Sequence, residues 1–173
     1  LFESAVFDYT KPLELIKVLT ALSTDRDSED IVLDFFAGSG TTGHAVMQLN
    51  AEDGGNRRHM QVQLPEPTPA ESEAWAAGYK TISEIARRRI DLAGDAESER
   101  MVHALGDREH PLDIGFRSYA LTDTNFSKWR VASDTDATAL EQHLLDLRDS
   151  ADDDATPDSL LTELLLKQGY SLT

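Results

Sequence analysis

A predicted strand that runs directly into a loop of small residues is the feature that most limits the fold of this 173-residue chain. Residues 31–36 read IVLDFF, an apolar run broken only by Asp34, and residues 37–40, here called the glycine loop, read AGSG. A short apolar run of this kind is typical of a strand in a parallel sheet, and a helical pattern follows over 41–49. The stretch therefore predicts a strand, a tight loop and a helix.

The segments on either side extend this alternation of strands and helices. Before the strand, Lys11-Pro12 opens a helix with one apolar stripe. After it, residues 59–64 predict a second strand, 70–92 a helix that Gly94 ends, and 115–121 a third strand. This order predicts an α/β fold, a partial Rossmann-like sheet of about three parallel strands with flanking helices. The stripe of the first helix consists of Leu15, Val18, Leu19 and Leu22.

The C-terminal part of the chain has a different pattern. We predict a first domain over 1–133 and a helical C-terminal extension over 134–173, with helices over 137–149 and from Pro157 to Gly169. Two interpretations of these helices remain open, because they could close a core of their own or mediate contact between subunits. The first helix is amphipathic through Leu140, Leu144 and Leu147, and the second is predicted to face inward with Leu161, Leu164 and Leu165.

Nucleotide-binding sites with a glycine-rich loop are the first alternatives for the glycine loop. A P-loop requires Lys and then Ser or Thr after Gly43, where this chain has His44 and Ala45. A dinucleotide site fits the GxGxxG spacing of Gly38, Gly40 and Gly43, but it also requires an acidic residue at the end of the second strand. That position holds Gln63, so neither kind of site is favoured.

S-adenosylmethionine suits the charges around the loop better. Its sulfonium and amino groups are cationic and its carboxylate is anionic. Asp34 at the strand end can lie near the cationic part, while the glycine loop and the helix that follows offer backbone N–H groups to the carboxylate. The remaining alternative is a loop that only packs tightly, in which case a buried Asp34 would require another partner.

Composition excludes several classes of function. The net charge of −16 argues against a chain that grips nucleic acid by itself, because phosphate contacts need Lys and Arg. The absence of Cys excludes thiol catalysis and disulfides, and it fits a cytoplasmic protein. No apolar run approaches the length of a membrane span, so no membrane is expected. We interpret Arg87, Arg88 and Arg89 as the solvated end of a helix.

Three segments carry a resemblance to a known family: FDYTKPLELI, DFFAGSGTTGHAV and RRHMQVQLPEPT. They resemble the DNA amino-methyltransferases, and more narrowly the adenine-specific modification subunit of type III restriction–modification systems. The segments TISEIARRRI, DIGFRSYALTDTNFSKW and LLTELLLKQGYSLT are also similar to that subunit.

The resemblance implies that S-adenosylmethionine is the cofactor and that adenine N6 in DNA is the target, with cytosine N4 as an alternative. It implies that the full-length enzyme binds DNA, forms a homodimer and pairs with a restriction subunit. Gln63 stands where the family has a Glu that reaches the ribose hydroxyls, and an amide there loses the charge assistance of the hydrogen bond. Carried over by position, the cofactor-binding residues are Lys11, Pro12, Asp34, Phe36, Gly38, Ser39, Gly40, Thr41 and Gln63.

The catalytic segment of this family, Asp-Pro-Pro-Tyr, is not in the sequence. It holds the flipped base, and no two of the six prolines here are adjacent. We expect it upstream of Leu1 in the full-length protein, so this chain would be the C-terminal, cofactor-binding part and inactive alone. The alternative from another class is a non-enzymatic, methyltransferase-like interaction module.

Overall fold

The computed structural model describes residues 2, 6–7, 10–103, 112–126, 134–146, 151–152 and 154–171. The chain divides into two compact units, residues 1–118 and 119–173. The predicted boundary after residue 133 lies at the end of 127–133, outside the described residues. The elements are α1 (Leu13–Ser23), β1 (Ile31–Asp34), α2 (Thr41–Asp53), β2 (Arg58–Gln61), α3 (Glu73–Ala76), α4 (Ile82–His103), α5 (Ala137–Asp146) and α6 (Pro157–Lys167).

The centre of the first unit is the segment in which β1, α2 and β2 follow one another. The two strands pair in parallel, with Ile31 opposite Arg58 and Asp34 opposite Gln61. The pairing continues beyond the strands, because the Val62 N–H donates to the Asp34 carbonyl at 2.8 Å and the Ala37 N–H donates to the Val62 carbonyl at 3.1 Å. The predicted strand, loop, helix and second strand are confirmed as an α/β arrangement with a two-stranded parallel sheet.

The two faces of this sheet differ in burial. Alternation places Val32 and Asp34 on the partly buried side of β1, and His59 and Gln61 on the partly buried side of β2. Helix α2 packs against this side. At Gly43 the approach is so close that a Cβ atom would lie 2.6 Å from the Gln61 side-chain nitrogen, so glycine permits the contact between helix and sheet.

The opposite face of the sheet is exposed among the described residues. Ile31, Leu33 and Met60 there are 52%, 47% and 54% exposed. The apolar stripe of α1 is also exposed, since α1 packs against α2 through other positions. Thr20 on α1 is buried, and the Lys17 ammonium pairs with the Glu52 carboxylate of α2 at 2.9 Å. The stripe residues at the surface are Leu15, Val18, Leu19 and Leu22.

Helix α4 closes the core on the other side of α2. Its Ile85 packs with Val6 and Ala74, and its Ile90 and Ala93 pack with Met47. The predicted helix over 70–92 is wrong in its bounds: the segment forms the separate helices α3 and α4, and Gly78 between them has φ +97°.

Two further sequence predictions are corrected around Gly94. Helix α4 continues past Gly94 to His103, and a Cβ atom at Gly94 would lie 3.1 Å from the Ile114 Cβ. Residues 115–121 form no strand, because Phe116 packs on the cluster of Met47, Ile90 and Ala93 instead of pairing in the sheet. Within 115–121, Phe116 is partly buried and 117–121 are exposed, so the alternation that predicted a third strand does not correspond to alternate burial.

The second unit contains the two predicted C-terminal helices. The Thr156 hydroxyl caps α6 by accepting the Ser159 N–H at 3.2 Å, and Gly169 ends the helix with φ +88°. The Glu163 carboxylate accepts the Asn125 N–H at 2.7 Å and also accepts from Thr124. The inward orientation predicted for Leu161, Leu164 and Leu165 is wrong, and Leu140 and Leu144 of the amphipathic first helix are exposed as well. Leu147 lies outside the described residues. The exposed ones are Leu140, Leu144, Leu161, Leu164 and Leu165, at 36–56%.

Within the described ranges, no helix is both long enough and apolar enough to cross a membrane.

Candidate functional site

Asp34 lies at the carboxyl end of β1 and organises the turn that follows. Its Oδ1 accepts the Phe36 N–H at 3.0 Å, and its Oδ2 accepts the Thr42 hydroxyl at 2.6 Å. The carboxylate thus joins the strand end to the first turn of α2. Each of its two oxygens accepts one of these hydrogen bonds and keeps further acceptor capacity.

The glycine loop connects β1 to α2 through two left-handed residues. Gly38 has φ +53° and Gly40 has φ +78°, conformations that strongly favour glycine. Gly40 is also the N-cap of α2 and supplies no side-chain cap, so the N–H groups at the start of α2 receive no cap from this residue. A helix start of this kind attracts an anionic group, because its N–H groups and the helix dipole point toward it.

Gly40 is further limited by the helix behind it. A Cβ atom at Gly40 would lie 3.0 Å from the Ala86 carbonyl oxygen and 3.2 Å from the Ala86 Cα, both in the backbone of α4. The start of α2 is therefore held directly against α4.

Gln63 follows β2 and reaches back to the loop. Its Oε1 accepts the Gly38 N–H at 2.8 Å, and its Nε2 donates to the Glu66 carboxylate at 3.4 Å. The structure therefore brings Gln63 and Gly38 together, as expected for residues of one site. The ribose contact assigned to Gln63 by resemblance stays a prediction.

The N-terminal segment also passes the glycine loop. A Cβ atom at Gly38 would lie 3.6 Å from the edge of the Phe7 ring, which the sequence did not indicate as part of the site. Pro12 is the N-cap of α1, and both Lys11 and Pro12 are exposed. The side chain of Phe36 is 84% exposed beside the loop. The predicted roles of Lys11, Pro12 and Phe36 stay predictions.

Ser39 and Thr41 face away from solvent toward α4. Both are buried, and both hydroxyl oxygens accept from Nη1 of Arg89, each at 3.0 Å. The Nε of Arg89 donates to Nδ1 of His44 at 3.4 Å. These contacts correct the expectation that Arg89 lies at a solvated helix end, because Arg89 is only 8% exposed and lies in the middle of α4.

The sequence contained a signal for this burial of Arg89. Ile85 and Ala86 are apolar, and Arg89 follows them at helical spacings of four and three, on the same face. This spacing is missed when the three consecutive arginines are treated as one solvated group.

Burial sets the protonation of this cluster. Removal from water, and secondarily the Arg89 cation, lower the pKa of His44 to about 4. The imidazole is therefore neutral at pH 7, and Nδ1 must be its unprotonated nitrogen because an arginine can only donate. Burial also lowers the pKa of Arg89.

Metal ligands are not part of this arrangement. Within the described ranges, no group of three or more His, Asp or Glu residues is placed to hold a metal ion. What the site offers is a carboxylate, a left-handed glycine loop and a helix start, all at one end of a parallel sheet.

Comparison with known proteins assigns this arrangement to a class. The sequence profile described as DNA methylase matches residues 3–91, just over half of the 173 residues. The matched range contains α1, the two strands, the glycine loop and Arg89. The chain belongs to the DNA methylase family.

The more particular resemblance to type III modification subunits is confirmed. The chain is 50% identical over 90 residues to the StyLTI Mod subunit of Salmonella typhimurium and 42% identical over 90 residues to the EcoPI Mod subunit of Escherichia phage P1. Each match covers 52% of this chain and 14% of the relative. The type II methyltransferase M.KpnI of Klebsiella pneumoniae is 37% identical over 95 residues, which cover 55% of this chain and 22% of M.KpnI. The chain thus spans a small part of the curated relatives it matches.

Proposed function

We propose that this chain is the S-adenosylmethionine-binding part of a DNA adenine-N6 methyltransferase from a type III restriction–modification system. The observation that carries the proposal is the joint geometry of Asp34, the glycine loop and the uncapped start of α2 within the region that matches the DNA methylase family. The catalytic Asp-Pro-Pro-Tyr segment would belong to another part of the full-length enzyme, and this chain alone would be inactive.

The residues at the loop suit the charges of this cofactor. Its carboxylate fits the start of α2, where N–H groups lack a side-chain cap and no acidic residue stands in the first turn. Asp34 keeps acceptor capacity for the cationic groups, since each oxygen has accepted one hydrogen bond. Lys11, Pro12, Phe36 and Gln63 would complete the pocket.

Bound S-adenosylmethionine would supply an activated methyl group for in-line transfer to an exocyclic nitrogen. This chain would bind and orient the cofactor, and the catalytic segment elsewhere would hold the flipped base. Asp34 and Thr42 would keep the loop in shape during this step through their 2.6 Å hydrogen bond.

Partners of the full-length enzyme follow from the same proposal. It would bind DNA, form a homodimer and pair with a restriction subunit. The description of two relatives as Mod subunits of type III restriction–modification enzymes supports the pairing with a restriction subunit. With a net charge of −16, this chain would contribute little to DNA affinity.

The first experiment is a calorimetric titration of S-adenosylmethionine into the chain and into Asp34→Ala. Asp30→Ala is the matched control, because Asp30 directly precedes the same strand at its opposite end and its carboxylate accepts the Asp25 N–H at 3.0 Å. We expect Asp34→Ala to weaken binding by at least about tenfold, through loss of charge-assisted hydrogen bonds, and Asp30→Ala to bind like the parent chain. If the parent chain, Asp34→Ala and Asp30→Ala bind S-adenosylmethionine with equal affinity, Asp34 is not part of the binding site.

A second experiment tests the reaction itself. The chain is combined with the catalytic part of the enzyme, and DNA digested after reaction is analysed by mass spectrometry. N6-methyladenine is the expected product. N4-methylcytosine would favour the cytosine-specific alternative, and cofactor binding without any methylated base would favour a non-enzymatic interaction module.

A further inference from the structure

Arg89 is a buried cation whose hydrogen-bond partners, in the glycine loop and in α2, are all uncharged. Its guanidinium donates to Ser39, Thr41 and His44. No carboxylate in the described part of the chain forms an ion pair with it. Burial of a charge without an opposite charge beside it costs free energy. Packing alone therefore does not account for a guanidinium at this position.

The contacts of Arg89 are placed where they control the backbone of the loop. Ser39 lies inside the glycine loop and Thr41 is the first residue of α2, so one nitrogen of Arg89 holds both sides of the left-handed Gly40. The backbone N–H groups that would meet an anionic ligand belong to this same turn. Their direction therefore depends on where the two hydroxyl groups are held.

The side chain of Arg89 is also held in place by its position on α4 and by His44 of α2. It lies on α4 three residues after Ala86, whose backbone is the surface against which Gly40 packs. His44, neutral and one turn along α2, accepts from the Arg89 Nε and limits rotation of the guanidinium. Three hydrogen bonds of this side chain thus connect α4 to the glycine loop and to the first turn of α2.

We propose that Arg89 is a positioning residue that holds Ser39 and Thr41, and through them the glycine loop, in the conformation that receives the cofactor. The inference rests on the proposed function, because the ligand is taken to be S-adenosylmethionine. Arg89 acts through the loop and does not touch the reacting atoms.

The test compares Arg89→Gln with Arg88→Gln, its exposed neighbour on the same helix. Calorimetry with S-adenosylmethionine should show binding weakened by about tenfold to a hundredfold in Arg89→Gln, the effect of a displaced binding group, and unchanged binding in Arg88→Gln. If the parent chain and Arg89→Gln bind S-adenosylmethionine with equal affinity, the positioning role of Arg89 is overturned and the proposed function is not. Absence of binding by the parent chain and by its combination with the catalytic part would overturn the proposed function, and this inference with it.

Hydrogen exchange without cofactor separates positioning from general stability. In Arg89→Gln, amide exchange should rise over 37–44 and stay unchanged over 49–57, which lies elsewhere on the same strand–helix–strand unit. A uniform rise over both ranges would identify Arg89 as a purely structural residue and overturn the proposal.

If Arg89→Gln does not fold, the same exchange measurement is made on Ser39→Ala combined with Thr41→Val, which removes both acceptors and retains Arg89. A local rise over 37–44 is expected. Because no cofactor is present, lost contacts to the ligand cannot produce it, and unchanged exchange there would overturn the proposal.

Discussion

Replacement of Gly40 by alanine should destabilise the chain for two separable reasons. Gly40 has φ +78°, and an alanine in the left-handed region costs roughly 1–2 kcal/mol. The new Cβ would also lie 3.0 and 3.2 Å from backbone atoms of Ala86, and such overpacking costs about 1–3 kcal/mol. The free energy of unfolding should therefore fall by about 2–5 kcal/mol.

Gly54 provides a matched control for the first of these costs. It also has φ +78°, at the C-cap of α2, but a Cβ there would meet no atom within 4 Å. Gly54→Ala should therefore lose only the roughly 1–2 kcal/mol of the left-handed conformation. Both variants are measured by urea unfolding followed by circular dichroism. Losses that agree within about 0.5 kcal/mol would refute the reasoning, because the contact with α4 would then have no energetic effect.

Three further predictions concern other parts of the first unit. The pKa of His44, about 4 when folded and 6.5 when unfolded, means that the unfolded chain takes up a proton between these values. Stability should fall by roughly 1–3 kcal/mol from pH 6.5 to 4, and His44→Gln should lack this part of the slope in urea titrations at each pH. Asn50→Ala should cost about 2–4 kcal/mol in urea unfolding, because the Asn50 amide pairs with both the N–H and the carbonyl of buried Arg57, at 3.1 and 2.8 Å. A loss under about 0.5 kcal/mol would contradict that assignment. Leu33→Ser, on the exposed face of the sheet, should change the free energy of unfolding by less than about 1 kcal/mol, and Val32→Ser, on the covered face, should cost more. Thermal unfolding measures both variants. A larger loss in Leu33→Ser than in Val32→Ser would mean that the two faces of the sheet are misassigned.

The parts of the fold that could be predicted from sequence are those set by local signals. The apolar run of β1, the small residues of the glycine loop and the helical pattern of α2 lie within one short stretch, and their order left few alternatives. Thr156-Pro157 and Gly169 likewise marked α6 because capping is a local interaction.

The parts that could not be predicted depend on contacts between distant residues. Gly94 looked like a helix end, but its missing Cβ makes room for Ile114 against α4. The alternation over 115–121 is typical of a strand, but Phe116 packs on the cluster of Met47, Ile90 and Ala93, and 117–121 are exposed. Nothing in the local pattern distinguishes a strand from such a segment.

The residues of the candidate site also separate into those set by local signals and those set by contacts between distant residues. Asp34 was recognisable from its position at the end of β1, and the two left-handed glycines from the loop that follows it. The bond between Gln63 and Gly38 joins residues 25 positions apart, and the contacts of Arg89 with Ser39 and Thr41 span 50 and 48 positions. Spacing within one element cannot reveal such pairs.

The strand–helix–strand unit over 31–61 also has a consequence for the order of folding. β2 pairs with β1 after a single helical crossover, and the Asn50 amide closes the connection from α2 to β2 over only seven positions. The pairing of Ile31 with Arg58 spans 27 positions, fewer than the 50 and 48 positions of the Arg89 contacts, so it closes a smaller loop and loses less chain entropy. We expect this unit to form early during refolding, before α4 docks and Arg89 can reach the loop. The cofactor loop would then acquire its final shape in a later step than the sheet from which it extends.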